Sequence, residues 1–260
     1  MMGRGVYMRK SRIVFFLGVI VLILVLATVA PFAAAWLLGL TGLKLTTNTF
    51  YLVYNILGEL IPLLVWLGIN RFYLHIRIRF NQRTPIKAWL LLSPIVLVMI
   101  SDFANHPKFS IAAGNIILAV LFGFSTALME EYVFRGIFIG GFKDNFHLNP
   151  FWAAVLSGVT FGGVHLINAL NDPTALTATL LQVVYAMGMG FFFAIIYLLT
   201  DNIWLPIMAH GLIDTFDGLL YGSLSNTNGN PWFVDLALAL VFIGLGLIFW
   251  HRRQKMAASQ

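Results

Sequence analysis

Glu130, Glu131 and Arg135 interrupt a run from Ile111 to Phe142 that is otherwise almost wholly apolar, and His165 and the pair His210 and Asp214 follow in similar surroundings. A charge at the centre of a hydrophobic span costs about 2.5–3.5 kcal/mol, so three within six residues demand a reason. Carboxylates and imidazoles together can move protons, activate water or hold a metal ion. Cysteine is absent, which excludes disulfides, thiolate nucleophiles and thiolate metal sites. Glu131 and Arg135 stand at i,i+4 in the favourable order, so Arg135 is expected to neutralise Glu131. Glu130, turned by about 100° from its neighbour on a helix, can face a different partner. Phe161 and His165 share a helix face, as do His210 and Asp214, and that carboxylate can orient or flank the imidazole.

These residues need elements to carry them, and composition decides which. Hydrophobic residues make up 60% of the chain and charged residues 10%, far from the roughly 25% charged content of soluble domains. The fold expected is all-α, a polytopic membrane helix bundle forming a single integral-membrane domain over residues 1–260. Spans need about 20 apolar residues. Eight runs qualify: Ile13 to Leu38, Phe50 to Ile69, Ile86 to Phe103, Leu118 to Phe142, Phe151 to Leu170, Ala175 to Leu199, Ile203 to Tyr221 and Trp232 to Trp250. The motif-bearing core covers about 118–221. Turn signals such as NDPT, TDN and SNTNGNP separate the runs. The first run exceeds a signal-peptide h-region of about 7–15 residues and reads as a span.

Thirteen of the sixteen Lys and Arg residues fall on one side of this arrangement, in the two tails and in the connections holding Arg71 to Lys87 and Lys143. The positive-inside rule then places both termini in the cytoplasm, as an even number of spans requires. Basic residues flanking spans are topology signals, so the net charge of +6 implies no nucleic-acid partner. At 1.5 Å per residue, Glu130, His165 and His210 lie about 18, 21 and 11 Å from the basic-loop edge. Three helices thus bring them into one half of the bilayer, and the active site is expected to open to the cytoplasm.

The sequence EEYVFRG matches an EExxxR motif, FGGVH an FxxxH motif and HGLID an HxxxN/D motif. In this order and placement the chain resembles the CPBP family of intramembrane endopeptidases, which includes CAAX prenyl proteases and Abi-type bacteriocin-processing and immunity proteins. The resemblance covers roughly Ser125 to Asp217. It implies hydrolysis of a peptide or protein substrate within or at the lipid bilayer. Glu130 as general base and His165 would activate a water, while His210, its ring held by Asp214, would stabilise the oxyanion. Glu131, Arg135 and Phe161 would support them. The preferred reading needs no cofactor. A zinc version would use Glu130, His165 and His210 as a His₂Glu ligand set with one position open for water.

Against this stand blander readings. Glu131 with Arg135 can be a purely structural pair. Asp217 reads as a polar-wall or loop-facing residue, and Glu59 and Asp102 could line a cavity. Gly136xxxGly140 and Gly158xxxGly162 read as helix-packing motifs. A bacteriocin immunity or scaffold protein of the same fold, or a proton-coupled transporter, are the alternative functions. Intact Glu130, His165 and His210 favour an enzyme over a scaffold, and the absence of an internal repeat argues against transport. Short loops fit a prokaryotic plasma-membrane protein.

Overall fold

Within a bilayer no water satisfies the backbone, so an apolar chain must pair its own N–H and C=O groups, and helices do so. The computed structural model describes residues 2–80, 84–109, 113–221 and 231–258. Arg83, Ile111 and most of the SNTNGNP turn lie outside the described residues. Eight helical elements follow one another: α1 (Ser11–Thr41), α2 (Thr47–Leu74), α3 (Ile86–Asn105), α4 (Ile116–Asn145), α5 (Pro150–Leu170), α6 (Pro173–Thr200), α7 (Trp204–Tyr221) and α8 (Trp232–Gln254). All but α7 are long and apolar enough to cross a membrane. The seventh expected span, Ile203 to Tyr221, is therefore a helix, but a more polar one. His210, Asp214 and Thr215 on α7 are buried inside the protein, so protein rather than lipid surrounds its polar groups.

Local chemistry sets the boundaries. Asn149 caps α5, its Oδ1 accepting from Phe151 N at 2.9 Å, and Pro150 occupies the first turn, where its missing N–H costs nothing. Asp172 does the same for α6, accepting from Thr174 N at 3.0 Å ahead of Pro173. Asp201, left-handed at φ 49°, ends α6. Asn202 Oδ1 then accepts from Trp204 N at 3.0 Å to open α7.

Small residues decide how closely the helices approach. A Cβ on Gly123 of α4 would lie 2.4 Å from Thr215 N and 2.8 Å from Gly211 O of α7, so these two helices meet backbone to backbone. On α5, a Cβ at Gly158 would lie 2.7 Å from Phe191 N, and one at Gly162 2.5 Å from Val183 O of α6. The Gly158xxxGly162 pair is thus a helix-packing motif. Gly136 and Gly140 make room for something else, the side chains of Ile78 and Ile76.

Those isoleucines belong to a chain reversal. After α2 the backbone turns at His75 (φ 53°) and folds back against the C-terminal part of α4. Asn70 secures the turn, accepting from Ile76 N at 2.8 Å and donating to Ile76 O and Tyr132 Oη, both at 3.0 Å. Arg79 pairs with Asp201, and Ile203 N donates to Arg79 O at 3.0 Å. Asn202 donates to Thr84 Oγ1 at 2.8 Å, and Arg12 to Phe146 O. The end of the bundle that carries the basic loops is in this way tied together by its own connections.

Candidate active site

Beyond Glu131, α4 widens into π-helical winding over Tyr132–Ile139, a feature that often accompanies functional sites. Glu131 and Arg135 nevertheless meet as expected, at 2.9 Å from Nε to Oε2, with neither side chain exposed. They form an ion pair off the axis of a hydrogen bond. Arg135 also donates to Gly190 O at 3.2 Å and lies 4.6 Å above the Phe161 ring and 5.7 Å from that of Phe193. Aromatic faces and a carboxylate together compensate a guanidinium removed from water.

Phe161 also stands 5.3 Å from the His165 ring and 5.7 Å from that of His210. The phenylalanine of the FxxxH pattern is therefore a spacer between Arg135 and both imidazoles. Ser157, one turn earlier on α5, donates to Phe134 O at 3.0 Å and ties α5 to the wide turn of α4.

His210 is the meeting point. Its Nδ1 lies 2.9 Å from Glu131 Oε1, and because an ionised carboxylate only accepts, the ring nitrogen donates. Its Nε2 lies 3.5 Å from both Glu130 Oε2 and Asp214 Oδ2. This corrects one expectation: the ring is held by Glu131, not by Asp214, which flanks the opposite nitrogen. The close approach of α4 and α7 at Gly123 and Gly211 accompanies this arrangement, which spacing along α7 alone cannot reveal. His165 ends the first part of α5 at a turn and lines the same cavity as Glu130, without an ion-pair contact between them.

That cavity has a volume of about 350 Å³. Trp66, Phe134, Phe161 and Met189 line it toward the basic end, and beyond His210 its polar wall continues through Asp214, Asp217, Asp102 and Asp235. Asp102 lies in the last turn of α3 and Asp235 in the first turn of α8, so the polar lining runs to the end of the bundle opposite the basic loops. At the basic-loop end the returning segment buries Ile76 and packs Ile78 on α4.

Among the described residues, no group of three or more His, Asp and Glu side chains is arranged to hold a metal ion. The set Glu130, His165 and His210 does not close around one point. Glu59, Asp102 and Asp217 all line the cavity, as does Asp235, which the sequence reading missed. Asp235 stands in the first turn of an apolar helix, where an acid reads as an ordinary first-turn residue.

Residues 112–216 match the family model described as type II CAAX prenyl endopeptidase Rce1-like. A protein of Bacillus subtilis (strain 168) named "Putative membrane peptidase YdiL" is 37% identical over 89 residues, covering 34% of this chain and 31% of that protein. The chain thus matches about a third of that relative's length. No solved structure matches. The family match falls on the motif-bearing core, and the two matches together support a membrane protease.

Proposed function

We propose that this chain, whose motif-bearing core matches CPBP-family membrane proteases, hydrolyses a peptide bond of a membrane-associated peptide or protein with water activated by Glu130. One observation carries the reading: Glu130 Oε2 and Asp214 Oδ2 each lie 3.5 Å from His210 Nε2 at a cavity that His165 also lines. Glu130 takes a proton from water, and the hydroxide attacks the scissile carbonyl carbon. His165 orients that water from α5. Negative charge develops on the carbonyl oxygen, and His210 Nε2–H is the donor available to it. Because Nδ1 is already committed to Glu131, donation from Nε2 requires the imidazolium form, for which Glu131 and Asp214 are counter-charges. Glu130 then passes its proton to the departing nitrogen as the C–N bond breaks, leaving a carboxylate and an amine. Arg135 neutralises Glu131 and keeps it an acceptor.

On the count of basic residues we place both termini in the cytoplasm of a prokaryotic cell, with the protein in the plasma membrane. The cavity then faces the other side of the membrane. The test is a peptide library incubated with the reconstituted protein in ¹⁸O-enriched water. Products carrying one ¹⁸O in a new C-terminal carboxylate, formed in the presence of chelator and absent with Glu130→Gln, support the mechanism. Products formed equally by Glu130→Gln, or lost on chelation and restored by zinc, contradict it.

A further inference from the structure

The cavity is lined by six carboxylic side chains, Glu59, Asp102, Glu130, Asp214, Asp217 and Asp235, and among its lining residues there is no Lys or Arg. Arg135 lies behind the wall, already paired with Glu131. In a protein with net charge +6, these acids have therefore been gathered where Lys and Arg are not. The chemistry above uses only Glu130, with Asp214 as a counter-charge. It gives no reason for the rest.

A second observation points to a ligand. Asp214 is 7% exposed, and its Oδ2, 3.5 Å from His210 Nε2, receives no hydrogen bond. Glu59 Oε2 and Asp217 Oδ1 are likewise buried acceptors without a donor. Each such atom favours a donor rich in N–H groups, and the ammonium and guanidinium groups supply three and five. No three of these acids converge to hold a metal ion among the described residues. Carboxylates spread along a channel suit a charge carried on a long, flexible side chain.

We propose that the cavity selects peptides bearing a lysine or arginine close to the cleaved bond. Asp217 lies two turns beyond His210 on α7, about 10 Å along the axis, which equals roughly three residues of extended peptide. The cation therefore sits within about three positions of the scissile bond, on the side of the substrate facing the acidic end of the cavity. This specificity rests on the hydrolytic site proposed above, yet it can be measured without hydrolysis.

The experiment uses the full chain carrying Glu130→Gln in nanodiscs of zwitterionic phosphatidylcholine. Three short fluorescent Leu/Ala peptides, identical except for a central Lys, norleucine or Glu, are titrated by anisotropy. The Lys peptide is expected to bind about tenfold more tightly than the norleucine peptide, and Asp217→Asn or Asp102→Asn in the same background should lower that ratio by about threefold or more. Should either variant fail to fold, Glu59→Gln and Asp235→Asn serve in its place. Equal affinities, or a ratio unchanged in the folded variants, overturn the inference. Selective binding of the Lys peptide with no cleavage of any peptide by the wild type contradicts the protease reading and leaves the cation site standing. Cleavage of Lys and norleucine peptides with equal kcat/KM overturns the cation site and leaves the protease reading intact.

Discussion

Arg135→Met is the substitution whose cost the structure sets most directly. Methionine keeps an unbranched stem of similar length between Phe161 and Phe193 but removes the charge facing Glu131. Both partners of this pair have 0% side-chain exposure, so Glu131 would be left as an uncompensated buried anion. Breaking such a pair from one side costs about 3–5 kcal/mol, and the cation–π contacts add about 0.5–2 kcal/mol. His210 remains a partner for Glu131 at 2.9 Å, which argues for the lower part of this range. Glu131→Gln should cost a similar amount by stranding Arg135, whose remaining contacts are Gly190 O and the two rings. The double variant removes both charges, so its loss should fall short of the sum by about 1–3 kcal/mol. Equilibrium unfolding of the reconstituted protein by steric trapping gives all four corners of this cycle. An Arg135→Met protein within about 1 kcal/mol of wild type, or single losses that simply add, would refute the reasoning.

Other consequences are as specific. Gly162→Ala must push its methyl against Val183 O and the Met187 backbone, so it should destabilise by about 1–3 kcal/mol and weaken any activity that depends on His165 three residues later. Gly163→Ala meets nothing within 4 Å and should be neutral or stabilising by up to about 1 kcal/mol, and thermal melting of the two proteins checks the contrast. In this cysteine-free chain, single cysteines at Asn168 or Gln182 should react with an impermeant thiol reagent from the membrane face opposite the one that labels a cysteine at Arg77. Labelling of both sets from the same face would contradict the direction of the cavity.

The sequence made the groups legible and left their contacts open. Glu131 with Arg135 could be paired from i,i+4 spacing because both sit on one helix, where the period fixes neighbours. The Gly158xxxGly162 pair was equally readable. That His210 turns its Nδ1 to Glu131 was not, because this contact joins α4 to α7 and depends on their mutual rotation. The packing of the segment after α2 was hidden for a related reason. IRIRF at residues 76–80 alternates apolar and basic side chains, the signature of an extended segment with one face inward, and Ile76 and Ile78 do pack on α4. As a topology signal alone the segment offers no partner to Gly136 and Gly140, which read as a helix-packing motif and instead receive the side chains of Ile78 and Ile76. Glu59, Asp102 and Asp235 each sit alone in an apolar run, and only the tertiary fold brings them to one wall.

The central claim, that Glu130 rather than Glu131 performs the chemistry, is tested most directly by single-turnover cleavage of an identified peptide. The proteins compared are Glu130→Gln and Glu131→Gln, alongside their unfolding transitions. Glu130→Gln is predicted to unfold like the wild type and to lose about 10²–10⁴ in rate, the usual worth of a general base. Glu131→Gln is predicted to lose stability first. A folded Glu130→Gln protein that cleaves at the wild-type rate would contradict the account.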